Sequence, residues 1–237
     1  MYQIRTFNYI IALFLSLFVT TPFAIFRPFN PENNKVIMCV LRFFMYFLCG
    51  IRLHSEGNDI LEQTRPSVAI TNHQHNLDAG VVAGFFSKRL VILGKYELIF
   101  VPYFGQIYML FGNLVIKRGN RRESLKSMAL LEKRIVEEDL SVLVFPEGTR
   151  NTNEELLPFK KGAYLTAIKT QTPLVPISIS QYKAKNQLGK IGFMEVYMKV
   201  HEPIPTAGLT KDDIPRLIEQ SRIIINDGII ELNRKYL

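Results

Sequence analysis

Hydrophobic positions along this chain follow two different rhythms. Between Arg5 and Arg27 lie 21 residues without a charge, TFNYIIALFLSLFVTTPFAIF. As a helix this run would reach about 31 Å, enough to cross a hydrocarbon core. A second apolar run, VIMCVLRFFMYFLCGI at 36–51, is 16 residues long and is interrupted by Arg42. A charge in mid-membrane is costly, so the run predicts an interfacial or re-entrant helix with Arg42 snorkelling to the headgroups. The proline- and asparagine-rich RPFNPENNK between them reads as a tight connection. Neither run has a polar face, so a pair of ordinary core helices would need complete burial. Membrane attachment is the expectation. A cleaved secretory signal is the competing reading, for which Pro22-Phe23-Ala24 is a poor cleavage site.

From residue 67 the pattern changes. SVAIT, LVILG, NLVIK, SVLVF, LVPISIS and MEVYMKV are short runs rich in β-branched residues. Helical stretches alternate with them: DAGVVAGFFSKR after the first, and RRESLKSMALLEKRIVEED before SVLVF. At the C-terminus, Ile214, Leu217, Ile218, Ser221, Ile224, Ile225, Ile229 and Leu232 form a stripe of helical period. Strands alternating with helices predict an α/β fold with a mixed, mostly parallel sheet flanked by helices. The chain then divides into an N-terminal two-helix membrane segment, residues 1–55, and an α/β domain, residues 56–237. In such folds chemistry collects on strand-to-helix turns. TNHQHNLD and FPEGTRN occupy two of them.

Composition narrows the partner. The 237 residues are enough for one substantial core, 48% are hydrophobic, and mean hydropathy is +0.10. A net charge of +8 and a pI near 9.4 select an anionic partner. Basic runs interleaved with aromatics, as a nucleic-acid groove would require, are absent, so no nucleic acid is expected. The densest basic patch, KRGNRR at 117–122, suits anionic headgroups. The two cysteines, Cys39 and Cys49, would lie about 15 Å apart on a helix, too far for a disulfide. They read as small buried hydrophobes, which suits a reducing compartment.

TNHQHNLD holds two of the chain's four histidines and admits three readings. A zinc site on His73 and His75 needs a third protein ligand, and the only other histidines are His54 and His201. A structural reading makes Asp78 a helix N-cap and His73 a loop residue. A catalytic reading pairs His73, as base, with Asp78 as the carboxylate that fixes its tautomer. No Gly-x-Ser-x-Gly elbow is present. The nucleophile in that case is a hydroxyl of the substrate, and the enzyme a transferase.

These blocks resemble the glycerolipid acyltransferases, in particular the lysophosphatidic acid acyltransferases. NHQHNLD is similar to the family's Asn-His-x4-Asp motif, GNLVIKR at 112–118 to its second, FPEGTR at 145–150 to its third and LVPISI at 174–179 to its fourth. GKYELIFVPYFGQ is similar to the segment between the first two. The resemblance spans about residues 66 to 180. It implies His73 as general base and Asp78 as its orienter. Arg118 and Arg150 would hold the acceptor's phosphate, with Lys95 nearby, and Gly112, Glu147, Gly148 and Thr149 would complete the pocket.

The implied activity moves an acyl group from acyl-CoA or acyl carrier protein to the sn-2 hydroxyl of lysophosphatidic acid. The implied product is phosphatidic acid. No metal or other cofactor is implied. The implied location is a membrane lipid bilayer, with the catalytic part on the cytoplasmic face, where acyl thioesters occur. Two arginines and a lysine suit a phosphate monoester. His75 stands where the family commonly has serine, and Val115 and Lys117 replace an aromatic and an acidic residue. Rival readings are another lysophospholipid or glycerol-3-phosphate as acceptor, a zinc hydrolase, and a non-enzymatic lipid binder.

Overall fold

The computed structural model describes residues 1–117, 121–151, 153, 155–182, 189 and 191–236. The first apolar run forms helix α1 (Tyr2–Phe26), and the second forms α2 (Asn33–Cys49), which ends at Gly50 in the left-handed conformation. The two helices pack against each other. Along α1 the buried side includes Ala12, Ser16, Thr20 and Ala24, four residues apart. Small side chains at this spacing let helix backbones approach closely. Both hydroxyls bond back into their own helix, Ser16 Oγ to the Ala12 carbonyl and Thr20 Oγ1 to the Ser16 carbonyl, each at 2.6 Å. The opposite side of α1 is apolar and uncovered, with Phe18 72% and Phe26 85% exposed. Among the described residues, α1 is the one helix long and apolar enough to cross a membrane.

α2 differs from a helix lying wholly in an interface. Ile37, Met38, Leu41 and Met45 are buried in the same hydrophobic cluster as strand residues of the sheet. Arg42 donates to the Leu53 carbonyl at 3.0 Å, so its head is engaged by the protein. The connection between the helices is pinned to the rest of the chain by amides. Asn34 Nδ2 donates to the Phe111 carbonyl at 2.8 Å, and Asn34 Oδ1 accepts from Asn113 Nδ2 at 2.8 Å. Both asparagines are buried.

The sheet has the strands β1 (Ile51–Glu56), β2 (Val68–Thr71), β3 (Leu90–Lys95), β4 (Leu114–Ile116), β5 (Ser141–Val144), β6 (Leu174–Ile179) and β7 (Met194–Val200). Their order is β1-β7-β6-β2-β5-β3-β4. All pairings are parallel except β6 with β7. Central strands are covered on both faces: Ala69 and Leu143 belong to one hydrophobic cluster, Val68, Ile70 and Val142 to the other. This is why the strands read as continuous apolar runs. One cluster includes α1, α2 and α4 (Asp78–Val81); the other includes α6 (Arg121–Glu137), α7 (Gly162–Thr170) and α8 (Ile214–Tyr236). The short helices α3 (Asn58–Gln63) and α5 (Phe104–Leu110) fill connections.

Two elements depart from the sequence expectation. β1 has no counterpart among the predicted strands. Its residues IRLHSE alternate in burial as an edge strand beside β7. The stretch 78–89 is one turn of helix, α4, followed by a 3₁₀ turn at Val82–Gly84. Glycines at 80 and 84 weaken the helix, and Gly80 is where the two layers touch. A Cβ there would lie 2.6 Å from Met45 Sδ and 2.7 Å from Tyr9 Cε2.

Asn34→Ala leaves the Asn113 amide and the Phe111 carbonyl short of a partner in a buried setting. A loss of about 1–3 kcal/mol is expected, or roughly 2–4 °C in Tm per kcal/mol for a chain of this size. Thermal unfolding in detergent checks this, and an unchanged midpoint removes the pinning role.

Candidate active site

Parallel pairing brings the C-terminal ends of β2, β5 and β3 to one edge of the sheet. β2 runs into the loop 72–77, which is tied down on both sides. On the β6 side, Asn72 Nδ2 donates to the Ile179 carbonyl at 3.0 Å and Asn72 Oδ1 accepts from Ile179 N–H at 2.9 Å. The amide thus continues the strand pairing where the strand itself has ended. Gln74 Nε2 adds a bond to the Ser180 carbonyl at 2.8 Å.

On the β5 side Glu147 clamps the loop. Its Oε1 accepts from His73 N–H at 2.8 Å and its Oε2 from Leu157 N–H at 3.0 Å. Asn151 N–H donates to the His73 carbonyl at 2.7 Å. Glu147 is 2% exposed. Burial pushes its pKa up, against the bonds from the His73 and Leu157 backbone that pull it down.

Asp78, at the start of α4, is fully buried. Its Oδ2 accepts from the backbone N–H of Gln74 at 2.6 Å and of His75 at 2.9 Å, which folds the loop back over the helix. The same oxygen lies 2.6 Å from His73 Nδ1. A carboxylate only accepts, so in the neutral ring the hydrogen lies on Nδ1 and Nε2 keeps its lone pair. Asp78 Oδ1 accepts from the Tyr182 hydroxyl. The His73 ring stacks on Phe145 with centroids 4.2 Å apart, and its side chain is 19% exposed. A fixed, largely covered imidazole whose Nε2 has no partner among the described residues can take a proton from a bound hydroxyl.

His75 sits differently. Leu77 N–H donates to its Nδ1 at 3.2 Å, and its Nε2 lies 3.0 Å from the Tyr2 hydroxyl of α1. Both ring nitrogens are engaged within the protein, and neither joins His73 in a shared ligand set. Of the other two histidines, His54 pairs with Glu195 and His201 with Ser178. Among the described residues no group of three or more His, Cys, Asp or Glu could hold a metal ion.

The remaining candidates divide. Gly148, Thr149 and Arg150 form the turn beside His73. Gly148 has a φ of 69°, and a Cβ there would meet Lys160 Nζ at 2.6 Å. Its bare backbone therefore seats the Lys160 stem, a basic residue the sequence reading did not single out. Thr149 and Arg150 are exposed, and among the described residues Arg150 and Lys160 have no ion pair. Lys95 closes β3 on the same sheet edge, exposed, 3.2 Å from Glu97. Gly112, with φ 76°, lies under the linker between α1 and α2, where a Cβ would meet the Phe29 carbonyl at 2.8 Å. Its carbonyl accepts from Arg134 Nη1 at 2.9 Å, and among the described residues none of its hydrogen bonds reaches the His73 loop. Arg118 lies outside the described residues.

Glu147→Gln turns one buried acceptor oxygen into an NH₂ group facing a backbone N–H. A loss of about 1–3 kcal/mol is expected, whereas Arg150→Ala is expected to leave the thermal midpoint within about 0.5 kcal/mol of the parent. Equal midpoints for all three proteins would dismiss the clamp.

Residues 52–180 match the acyltransferase family model. The chain is 32% identical over 234 residues to the 1-acyl-sn-glycerol-3-phosphate acyltransferase of Haemophilus influenzae, covering 98% of this chain and 96% of that one. It is 38% identical over 190 residues to the human 1-acyl-sn-glycerol-3-phosphate acyltransferase beta, covering 79% and 68%. The crystal structure of the 1-acyl-sn-glycerophosphate acyltransferase of Thermotoga maritima superposes with a TM-score of 0.68 at 22% identity, over 96% of this chain and 97% of that one, and shares the fold. This chain therefore belongs to the acyltransferase family that includes the 1-acyl-sn-glycerol-3-phosphate acyltransferases.

Proposed function

We propose that the enzyme transfers a fatty acyl group from a thioester, acyl-CoA or acyl carrier protein, to the sn-2 hydroxyl of lysophosphatidic acid, giving phosphatidic acid. The observation that carries this reading is the contact of His73 Nδ1 with buried Asp78 at 2.6 Å, beside a turn that carries the exposed Arg150. The acceptor's phosphate docks on Arg150, with Lys95 and Arg118 as further cations. Its hydroxyl lies against His73 Nε2. The hydroxyl oxygen attacks the thioester carbonyl as its proton passes to Nε2, and Asp78 stabilises the imidazolium. The tetrahedral intermediate collapses with cleavage of the C–S bond, and the imidazolium returns the proton to the departing thiolate.

The same reading assigns the uncovered side of α1 to the lipid bilayer. Phe7, Phe18, Val19, Phe23 and Phe26 form an exposed apolar surface, and large uncovered apolar patches mark interaction sites. The net charge of +8 favours anionic lipid. Thioester donors locate the catalytic edge on the cytoplasmic side.

Three measurements test this. His73→Ala is expected to lower kcat about 10²–10⁴-fold with the thermal midpoint retained; near-normal turnover defeats the scheme. Arg150→Ala is expected to raise the acceptor KM by about tenfold or more with a smaller change in kcat, and an unchanged KM removes the phosphate role. Acyl transfer measured on membranes, crossing lysophosphatidate, glycerol-3-phosphate and lysophosphatidylcholine with both donors, is expected to favour lysophosphatidate and to persist in EDTA. Inhibition by chelator would support a metal hydrolase instead.

A further inference from the structure

Tyr182 lies just past the end of β6, 104 residues from Asp78 in sequence, and none of its surface is exposed. It is outside all four blocks that carry the chemistry. Of the two Asp78 oxygens, Oδ2 receives the His73 ring and two backbone N–H groups, while Oδ1 receives, among the described residues, the Tyr182 hydroxyl. We propose that Tyr182 is a positioning residue for the reaction. Its O–H occupies Asp78 Oδ1, so that the carboxylate keeps Oδ2 on His73 Nδ1 and its basicity is held down. The proposal rests on His73 being the base.

Two physical effects follow from that single bond. The first is orientation. A fully buried carboxylate oxygen with no donor costs more than a typical hydrogen bond contributes. Without the hydroxyl the carboxylate gains by turning, and each turn brings Oδ1 into competition for the imidazole. The second is electrostatic. The hydroxyl's positive end draws charge onto Oδ1 and away from Oδ2, so Oδ2 attracts the imidazolium less strongly. Removing it favours protonated His73 and raises the pKa of the base. The donor itself does not titrate in the working range, because burial first and the neighbouring carboxylate second hold the Tyr182 hydroxyl well above its ordinary value.

Tyr9 provides an internal control. Its hydroxyl is buried on the α1 side of the same cluster and, among the described residues, has no hydrogen-bond partner. Tyr9→Phe deletes the same atom from a neighbouring buried ring without removing a bond to Asp78.

The test is the pH profile of acyl transfer to lysophosphatidate from acyl-CoA, using the full chain in detergent with thermal midpoints in parallel. Tyr182→Phe is expected to lower kcat about tenfold, to leave the acceptor KM unchanged, and to move the acid limb of kcat/KM up by about half a unit or more. Replacing Tyr182 by 3,5-difluorotyrosine keeps the shape and strengthens the donor, so it is expected to move the limb down. This second variant decides the matter if the phenylalanine variant folds poorly. Tyr9→Phe is expected to keep the parent limb. Opposite shifts for the two Tyr182 variants support the proposal. A parent-like limb in either folded variant overturns it, as does loss of stability without a shift. An active His73→Ala would refute the base itself, which distinguishes that failure from this one.

Discussion

One buried carboxylate determines the arrangement of this active site. Asp78 is sealed from solvent, and an ionised group in that setting persists only where donors replace the water it has lost. Two of its donors are backbone N–H groups of the loop 72–77, a third is the His73 ring, and the fourth is the Tyr182 hydroxyl. The loop's conformation and the orientation of the imidazole therefore have the same cause. If the carboxylate moved, the turn would unravel and the His73 ring would lose its tautomer together.

A second buried acid does a different job in the same few ångströms. Glu147 gives one oxygen to the loop after β2 and the other to the segment after β5. It joins two excursions that the sheet brings side by side but does not itself connect. The turn carrying Arg150 is thereby held in register with His73, although Arg150 itself touches nothing charged among the described residues. The His73 ring is fixed by strong local bonds, while the Arg150 guanidinium beside it is exposed and has no ion pair among the described residues. Such a division suits the proposed chemistry, which needs a still imidazole and a cation open to an anionic ligand.

Much of the fold was legible because its signals are local. The strands β2 to β7 appear as short β-branched runs, and α6 and α8 as amphipathic stripes. β1 was hidden because an edge strand needs few apolar residues, and IRLHSE mixes charge with hydrophobicity. The helix expected from Asp78 onward is cut short because its glycines serve packing, which no periodicity reports. At the site, His73 and Asp78 could be read from a five-residue spacing, and the structure joins them. The resemblance implies that Glu147 shapes the pocket; that its two oxygens bind the backbone of His73 and Leu157 becomes visible only in three dimensions. Tyr182 carried no signal, since its meaning depends on a partner 104 residues away. Lys160 was equally silent, being visible only through the bare backbone of Gly148 beneath it.

Gly80 joins the greasy N-terminal hairpin to the chemistry. It belongs to the same short helix as Asp78, and both hairpin helices press on it through Tyr9 and Met45. Even a methyl there would require the Met45 thioether and the Tyr9 ring to shift. At this point in the shared core the two helices and the short helix are separated by no more than the glycine's hydrogen. A tilt or lift of the hairpin would be felt at the short helix whose first residue, Asp78, orients the His73 ring.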